Sequence, residues 1–389
     1  VLVAGSGAYR HLKGYQGAPG EIVTPAPNAY GMGQLTSTPR AAEKLVRWLL
    51  NPANQLQVPL ATCRVLLSPA KMSSAVIAPD PQPAGFHDVL VDRCSRANFK
   101  QEADAWREAA SRSPDDIAIF YFAGHGVQRS KGDSVMLMDD FGSDETLGNT
   151  ASSRNLYDGM ANSDARPDIA RTQLFFVDAC RVMPKEFTNF ERMSVPDLWN
   201  IELAGTDFRR APIFYAARSG QGGAGIRDVG TIFSEALVNC LEGGAAQLDD
   251  TNGQADWRIS IYSLTQAMRA KVSQLNAVHR GNQEFTVDGD SGDTVLRRFA
   301  AAPRVPVTVQ IVPPAGRDYA AVVVTDENRV DALALPKPLN PHPYTAELLG
   351  GYYHLGARIN PPCDPYVDFP TKLVKVQPPF VNWQVKVVR

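Results

Sequence analysis

Apolar positions in this chain recur in two rhythms, and the change from one to the other divides it. Val1-Leu2-Val3-Ala4, Val65-Leu66-Leu67, Ile117–Ala123, Leu174–Val177 and Ile213–Ala217 are apolar on both faces. Each is too short for a core helix, so each predicts a fully buried strand. Between them, Ala42, Leu45, Trp48 and Leu49 fall at helical spacing, as do Phe99, Ala103, Trp106 and Ala110. Phe233, Leu237 and Leu241 repeat the pattern, and Leu264, Met268, Val272 and Leu275 repeat it again. Thr38-Pro39 predicts the start of the first helix, threonine as cap and proline at the first helical position. Pro114-Asp115-Asp116 stops the second helix and Gly243-Gly244 the third. Val135–Met138 adds a short strand and 152–162 a further helix. This alternation predicts an α/β fold, a mostly parallel sheet with helices on both faces.

The rhythm changes near residue 303. Fourteen of the 29 prolines lie between Pro303 and Pro379. There the apolar residues alternate with polar ones, as in Val381, Trp383, Val385 and Val387 against Gln384 and Lys386. That is strand periodicity with one solvated face, and it predicts a small all-β sandwich over 303–389, appended to an α/β domain over 1–300. Two stretches keep no period. One is the Pro/Gly-rich segment 14–33, read as an exposed loop; the other is 181–211, of a length that is usually functional. Asn252-Gly253 reads as a hairpin turn.

Composition narrows the function classes. A chain of 389 residues with 44% hydrophobic and 21% charged content can bury two cores. A formal charge of −2 gives no electrostatic reason for nucleic acid or an anionic membrane as partner. No run nears the ~18 apolar residues of a membrane span, and no basic-then-apolar leader opens the chain, so a cytoplasmic location is expected. Five dispersed cysteines, without a CxxC or HxxxH, predict free thiols in a reducing compartment and no structural zinc.

The chemistry gathers at two strand ends. Ile117–Ala123 runs into Gly124-His125-Gly126, and Leu174–Val177 runs into Asp178-Ala179-Cys180. In open α/β sheets, ligands bind at the carboxyl ends of strands. An imidazole and a thiol at neighbouring tips are the minimum set for cysteine nucleophilic catalysis, the base removing the thiol proton. Glycines around His125 allow the backbone to turn and to approach a substrate closely. The N–H groups of Gly126 and Cys180 could form an oxyanion hole. A buried cysteine alone is more often core; the two groups together, 55 residues apart, argue for a site.

Tyr121-Phe122-Ala123-Gly124-His125-Gly126 resembles the histidine motif of the caspase, metacaspase and paracaspase family, and Asp178-Ala179-Cys180-Arg181 resembles its nucleophile motif. Asp178 and Val182 stand where the caspase signature has Gln and Gly; an acid two residues before the cysteine is metacaspase-like. The resemblance covers roughly residues 1–298. It implies a caspase-like α/β fold, peptide-bond hydrolysis by a cofactor-free dyad, His125 as base, Cys180 as nucleophile, and the Gly126 N–H on the oxyanion. It also implies that Asp178 lines the pocket for P1, the residue before the scissile bond, and selects Arg or Lys there. Read by itself, Asp178 equally orders the strand tip. The second acid of that pocket falls near Ala41. Arg227 sits where caspases recognise P1 Asp, or is a solvated loop residue. The 181–211 loop corresponds to the linker cut between caspase subunits, with Lys185, Arg192, Arg209 and Arg210 as processing candidates. Calcium, which some metacaspases require, has candidates in Asp139-Asp140 to Asp144-Glu145 and in Asp288 to Asp293, neither matching an EF-hand. The expected partners are protein or peptide substrates and an activating protease or regulator, in a defence or cell-death cascade. The alternatives are a P1-Asp protease and a non-catalytic partner-binding module.

Overall fold

The computed structural model describes residues 1–389 apart from 18–19, 28, 70–90, 131, 144–146, 183–193, 202–205, 224, 227–228, 250–255, 290–291, 336 and 389. The first strand, β1 (Leu2–Ser6), is buried throughout and leads to helix α1 (Ser37–Leu50). Strand β2 (Arg64–Ser68) and helix α2 (Arg96–Ala110) follow. Next come β3 (Ile117–Gly124), β4 (Gly126–Ser130), β5 (Asp133–Leu137), β6 (Thr150–Ser152) and α3 (Ser153–Gly159). Strands β7 (Thr172–Ala179), β8 (Ile213–Tyr215), β9 (Gly225–Ile226) and β10 (Gly230–Thr231) lead to α4 (Ile232–Asn239). Strands β11 (Gln247–Asp249) and β12 (Asp256–Ser260) precede α5 (Ile261–His279) and β13 (Thr286–Asp288).

The central sheet has the order β13-β8-β7-β3-β1-β2. All of its pairings are parallel except that of β13 with β8. It is the mostly parallel α/β sheet that the unbroken apolar runs predict. Its two faces are filled differently. On one, Trp106 of α2 packs against Phe120 and Phe175, and Tyr157 of α3 lies 5.3 Å from Phe175. On the other, Phe176 stacks on Phe214 at 4.9 Å, and Phe233 of α4 closes over Phe176. Helix α1 comes so close to β1 that a Cβ on Gly5 would stand 2.7 Å from that of Ala42.

Local chemistry moved some boundaries. Helix α1 starts at Ser37, before the predicted cap, because the Thr38 hydroxyl donates to the Ser6 carbonyl at 2.6 Å. That bond ties the helix start to the tip of β1 and leaves the threonine inside the helix. Helix α2 is capped by Ser95, whose hydroxyl accepts the Asn98 N–H. The aperiodic segment after Cys180 is anchored over Val195–Trp199. The Asn155 side chain accepts the Leu198 and Trp199 N–H groups at 2.8 and 3.2 Å and donates to the Trp199 carbonyl at 3.0 Å. Trp199 also donates its indole N–H to Asp104 at 2.7 Å and lies under Arg107. No hydrophobic period announces a segment held by such side-chain hydrogen bonds. A Cβ on Gly159 would stand 2.3 Å from the Trp199 ring. Because that ring is held on two sides, Gly159→Ala is expected to cost about 1–3 kcal/mol in chemical denaturation, the usual penalty of overpacking.

The chain divides into two compact units, Val1–Val238 with Met268–Thr294, and Asn239–Ala267 with Val295–Arg389. In the second, β14 (Val295–Phe299) pairs antiparallel with β12, which in turn pairs with β11. These ladders attach β11 and β12 to the C-terminal part of the chain, a connection that composition does not display. The remaining strands are β15 (Arg304–Val312), β16 (Ala320–Thr325), β17 (Asp331–Leu335), β18 (Tyr344–Leu349), β19 (Gly351–Ile359), β20 (Phe369–Val376) and β21 (Val381–Lys386). They form sheets of order β18-β15-β21 and β17-β16-β19-β20. The inward residues of both sheets, among them Val307, Ile311, Val322, Leu355 and Trp383, share one core. That is the all-β sandwich read from the alternation near the C-terminus. Asn252-Gly253 lies outside the described residues.

Candidate active site

Strands β3 and β7 run parallel with Gly124 level with Ala179. The next residue on each is His125 and Cys180, so the register brings these two residues to neighbouring positions as the chains leave the sheet. The site is closely fitted there. A Cβ on Gly126 would meet the Cys180 carbonyl oxygen at 2.7 Å and the Ala179 Cβ at 2.8 Å. Two backbones this close require glycine, so Gly126→Ala is expected to displace the strand end that carries Cys180 and lower any kcat/KM that depends on it at least about a hundredfold. A kinetic assay beside an unchanged far-ultraviolet circular dichroism spectrum would check it.

His125 is held from three sides. Its Nε2 is 2.8 Å from the Gly33 carbonyl oxygen. A carbonyl only accepts, so Nε2 carries the proton and the neutral ring keeps its lone pair on Nδ1. The His125 N–H donates to the Tyr9 hydroxyl at 2.6 Å, and the Leu137 N–H donates to the His125 carbonyl at 3.0 Å. The Tyr9 ring lies 4.7 Å from the imidazole and is fully buried. The Gln34 amide fixes this surround, accepting the Tyr9 N–H and donating to the carbonyls of Tyr9, Leu12 and Lys13. The segment read as an exposed loop therefore ends against the site, where Gly33 supplies the carbonyl that sets the histidine's tautomer. Sequence reasoning missed Tyr9, Gly33 and Gln34, because a backbone carbonyl and a buried hydroxyl leave no motif.

Cys180 follows β7 directly, and its Sγ accepts the Gly223 N–H at 3.2 Å. Burial pushes the thiol above its usual range, opposed by that N–H and reinforced by the negative charge of Asp178. Burial pulls the imidazole of His125 below its usual range, opposed by the bond to Gly33. Both shifts favour the neutral forms, so the resting pair is thiol and imidazole.

Asp178 is buried, with its Oδ2 accepting the Tyr121 hydroxyl at 2.7 Å and the Thr231 hydroxyl. Thr231 also begins α4, exchanging bonds with Ser234. Burial raises the Asp178 carboxyl to about 6, against the lowering effect of the two hydroxyls. Ala41, the position that corresponds to the second acid of a basic pocket, is a fully buried residue of α1.

The remaining candidates separate. Arg227, Lys185 and Arg192 lie outside the described residues. Arg209 is 4% exposed, ion-paired to Asp207 at 2.7 Å, and donates to the Tyr157 carbonyl and to Gln173. Arg210 is exposed, but its N–H donates to the Arg171 carbonyl at 2.7 Å and its carbonyl accepts the Gln173 N–H at 3.0 Å. A protease reads an extended, free backbone, and this one is committed to a ladder with β7. Of the calcium candidates, Asp139 is buried against Ser68 and Arg93, and Asp140 accepts the Arg96 N–H. Among the described residues no group of three or more His, Cys, Asp or Glu could hold a metal ion. Among them, too, no helix is long and apolar enough to cross a membrane.

A protein-family model described as the caspase domain, Peptidase C14, matches residues 82–288. The chain belongs to the caspase-domain family. The match takes in both strand tips and the loop between β8 and α4. An uncharacterized protein of Sinorhizobium fredii (strain NBRC 101917 / NGR234), y4kE, is 33% identical over 116 residues. That match covers 28% of this chain and 31% of the relative's own length. The crystal structure of protein GSU0716 from Geobacter sulfurreducens aligns with a TM-score of 0.37 at 15% identity, over 74% of this chain and 92% of that one.

Proposed function

We propose that this caspase-domain chain is a cysteine endopeptidase that cuts protein substrates after Arg or Lys with His125 and Cys180. The parallel register of β3 and β7, Gly124 level with Ala179, carries the reading. In this mechanism the Cys180 thiol gives its proton to Nδ1 of His125, and the sulfur attacks the scissile carbonyl carbon. The oxyanion forms between the N–H groups of Gly126 and Cys180. The imidazolium returns its proton to the leaving amine, and water then hydrolyses the thioester. Asp178 is the anchor for the basic P1 side chain. No cofactor takes part in these steps. Activation is by cleavage within 181–211; since Arg209 and Arg210 are tied into the fold, Lys185 and Arg192 are the remaining candidates. A cytoplasmic cascade of defence or cell death is the setting proposed.

A fluorogenic panel with P1 Arg, Lys, Asp and Leu tests the reading. Preference for Arg and Lys is the expected result. Preference for Asp transfers the P1 role from Asp178 to Arg227, the second reading, which the hydroxyl bonds of Asp178 favour by giving that carboxylate a structural task. Turnover by a Cys180→Ala protein equal to that of the unaltered one sinks the mechanism.

A further inference from the structure

The loop that follows β8 folds back over the nucleophile, and its attachments are specific. The Gly220 N–H donates to the Arg181 carbonyl at 2.8 Å, and the Arg181 N–H donates to the Gln221 carbonyl at 2.9 Å. Gln128, on β4 just past His125, is 5% exposed, and its Oε1 accepts both the Ser219 hydroxyl at 2.7 Å and the Gly220 N–H at 3.1 Å. The Gln128 N–H itself donates to the Val182 carbonyl at 3.2 Å. One residue, through its backbone and its side chain, therefore joins the histidine strand, the segment leaving Cys180 and the glycine loop. The loop delivers Gly223, whose N–H points at Cys180 Sγ from 3.2 Å. Ideal Cβ atoms on Gly222 and Gly223 would stand 4.0 and 3.9 Å from the sulfur, so the loop lies on it in van der Waals contact.

We infer that the Gly223 backbone N–H is a further catalytic group, holding the sulfur anion of Cys180, and that Gln128 is the residue that positions it. The inference rests on Cys180 being the nucleophile. When the thiol proton passes to Nδ1 of His125, the electron pair stays on sulfur in a half-buried place where a sulfur anion is costly. A backbone dipole already aimed at it strengthens its bond as the charge forms, without reorganisation. The same N–H is then in place to receive the sulfur again when the thioester is hydrolysed. Burial raises the thiol and this contact opposes the rise, in keeping with the geometry.

The test separates the N–H from the loop's shape. An alanine Cβ at 223 meets only ordinary contacts, at 3.9 Å from Ala179, Cys180 N and Sγ. Gly223→Ala thus keeps the donor, whereas L-lactate at 223, placed by nonsense suppression, has the same side chain and an ester oxygen instead of the N–H. Iodoacetamide alkylation of the Cys180 peptide, followed by mass spectrometry from pH 5 to 10, reads thiol ionisation without any substrate. The alanine protein should follow the unaltered one. The ester protein should alkylate about tenfold more slowly at pH 7, its profile displaced upward by about one unit. Gln128→Ala should displace the profile in the same direction, with an unchanged melting temperature of the sheet. Coincident profiles for the ester and alanine proteins overturn the inference, as does a Gln128→Ala profile that stays in place. Loss of the proposed function shows elsewhere, as peptidase activity that survives Cys180→Ala while the alkylation profiles still differ.

Discussion

Replacing Cys180 by alanine is expected to lower kcat/KM on a basic fluorogenic peptide by at least about a thousandfold, leaving the fold intact. The size follows from the site's construction. Cys180 stands at the end of a fully buried strand whose register with β3 is fixed over eight residue pairs. Deleting its sulfur removes the proposed nucleophile and little packing, so melting should change by no more than a few degrees. The pH profile carries a second expectation. Burial raises the thiol and lowers the imidazole, so the pair rests neutral and must transfer a proton to react. Alkylation of Cys180 should therefore climb towards the alkaline side of neutrality instead of holding a plateau in weak acid, as a preformed thiolate–imidazolium pair would. A plateau below pH 6 would show that the ion pair exists at rest. That outcome would require a carboxylate or dipole on His125 stronger than the Gly33 carbonyl.

The parts of this site legible in the sequence are those that depend on strands. Unbroken apolar runs announce buried parallel strands, and a strand's last residue is known once its run ends, so the chain alone puts His125 and Cys180 at strand tips. What escaped is everything delivered by loops. Gly33, which fixes the histidine's tautomer, acts through a carbonyl that every residue possesses. Gly223 acts through an N–H in the same way, and Gln128, which positions its loop, looks like an ordinary strand residue. Tyr9 carries a nameable side chain, but its task is to receive a backbone N–H far along the chain, at His125. The ladder of β12 with β14 was hidden for a related reason, since pairing partners across a long helix share no local pattern. Periodicity reports burial, which is collective. Hydrogen bonds made by single backbone atoms leave it unchanged.

Asp178→Asn is expected to abolish the preference for P1 Arg and Lys, by at least about a hundredfold in kcat/KM relative to P1 Leu. The same change should leave the protein as stable as before at pH 7.5, or more so. The two expectations come from one carboxyl group. Asparagine keeps an oxygen for the Tyr121 and Thr231 hydroxyls, so the start of α4 retains its partner. It removes a charge that burial makes costly. In the unfolded chain the carboxyl ionises near 3.8, and in the folded chain it ionises near 6. Between those values the unfolded state binds fewer protons, so stability falls as pH rises and is flat above about 6, a loss on the order of 3 kcal/mol. Asp178→Asn should remove that slope, which denaturant midpoints measured from pH 4 to 8 would show. A basic P1 side chain acts in the opposite sense, because its cation favours the ionised carboxyl and draws the proton off on binding. KM for P1 Arg should therefore rise as pH falls below about 6, while KM for P1 Leu stays level. If Asp178→Asn instead keeps the Arg preference, its carboxyl serves the start of α4 alone, and the selection of P1 belongs to another residue of the β8–α4 loop.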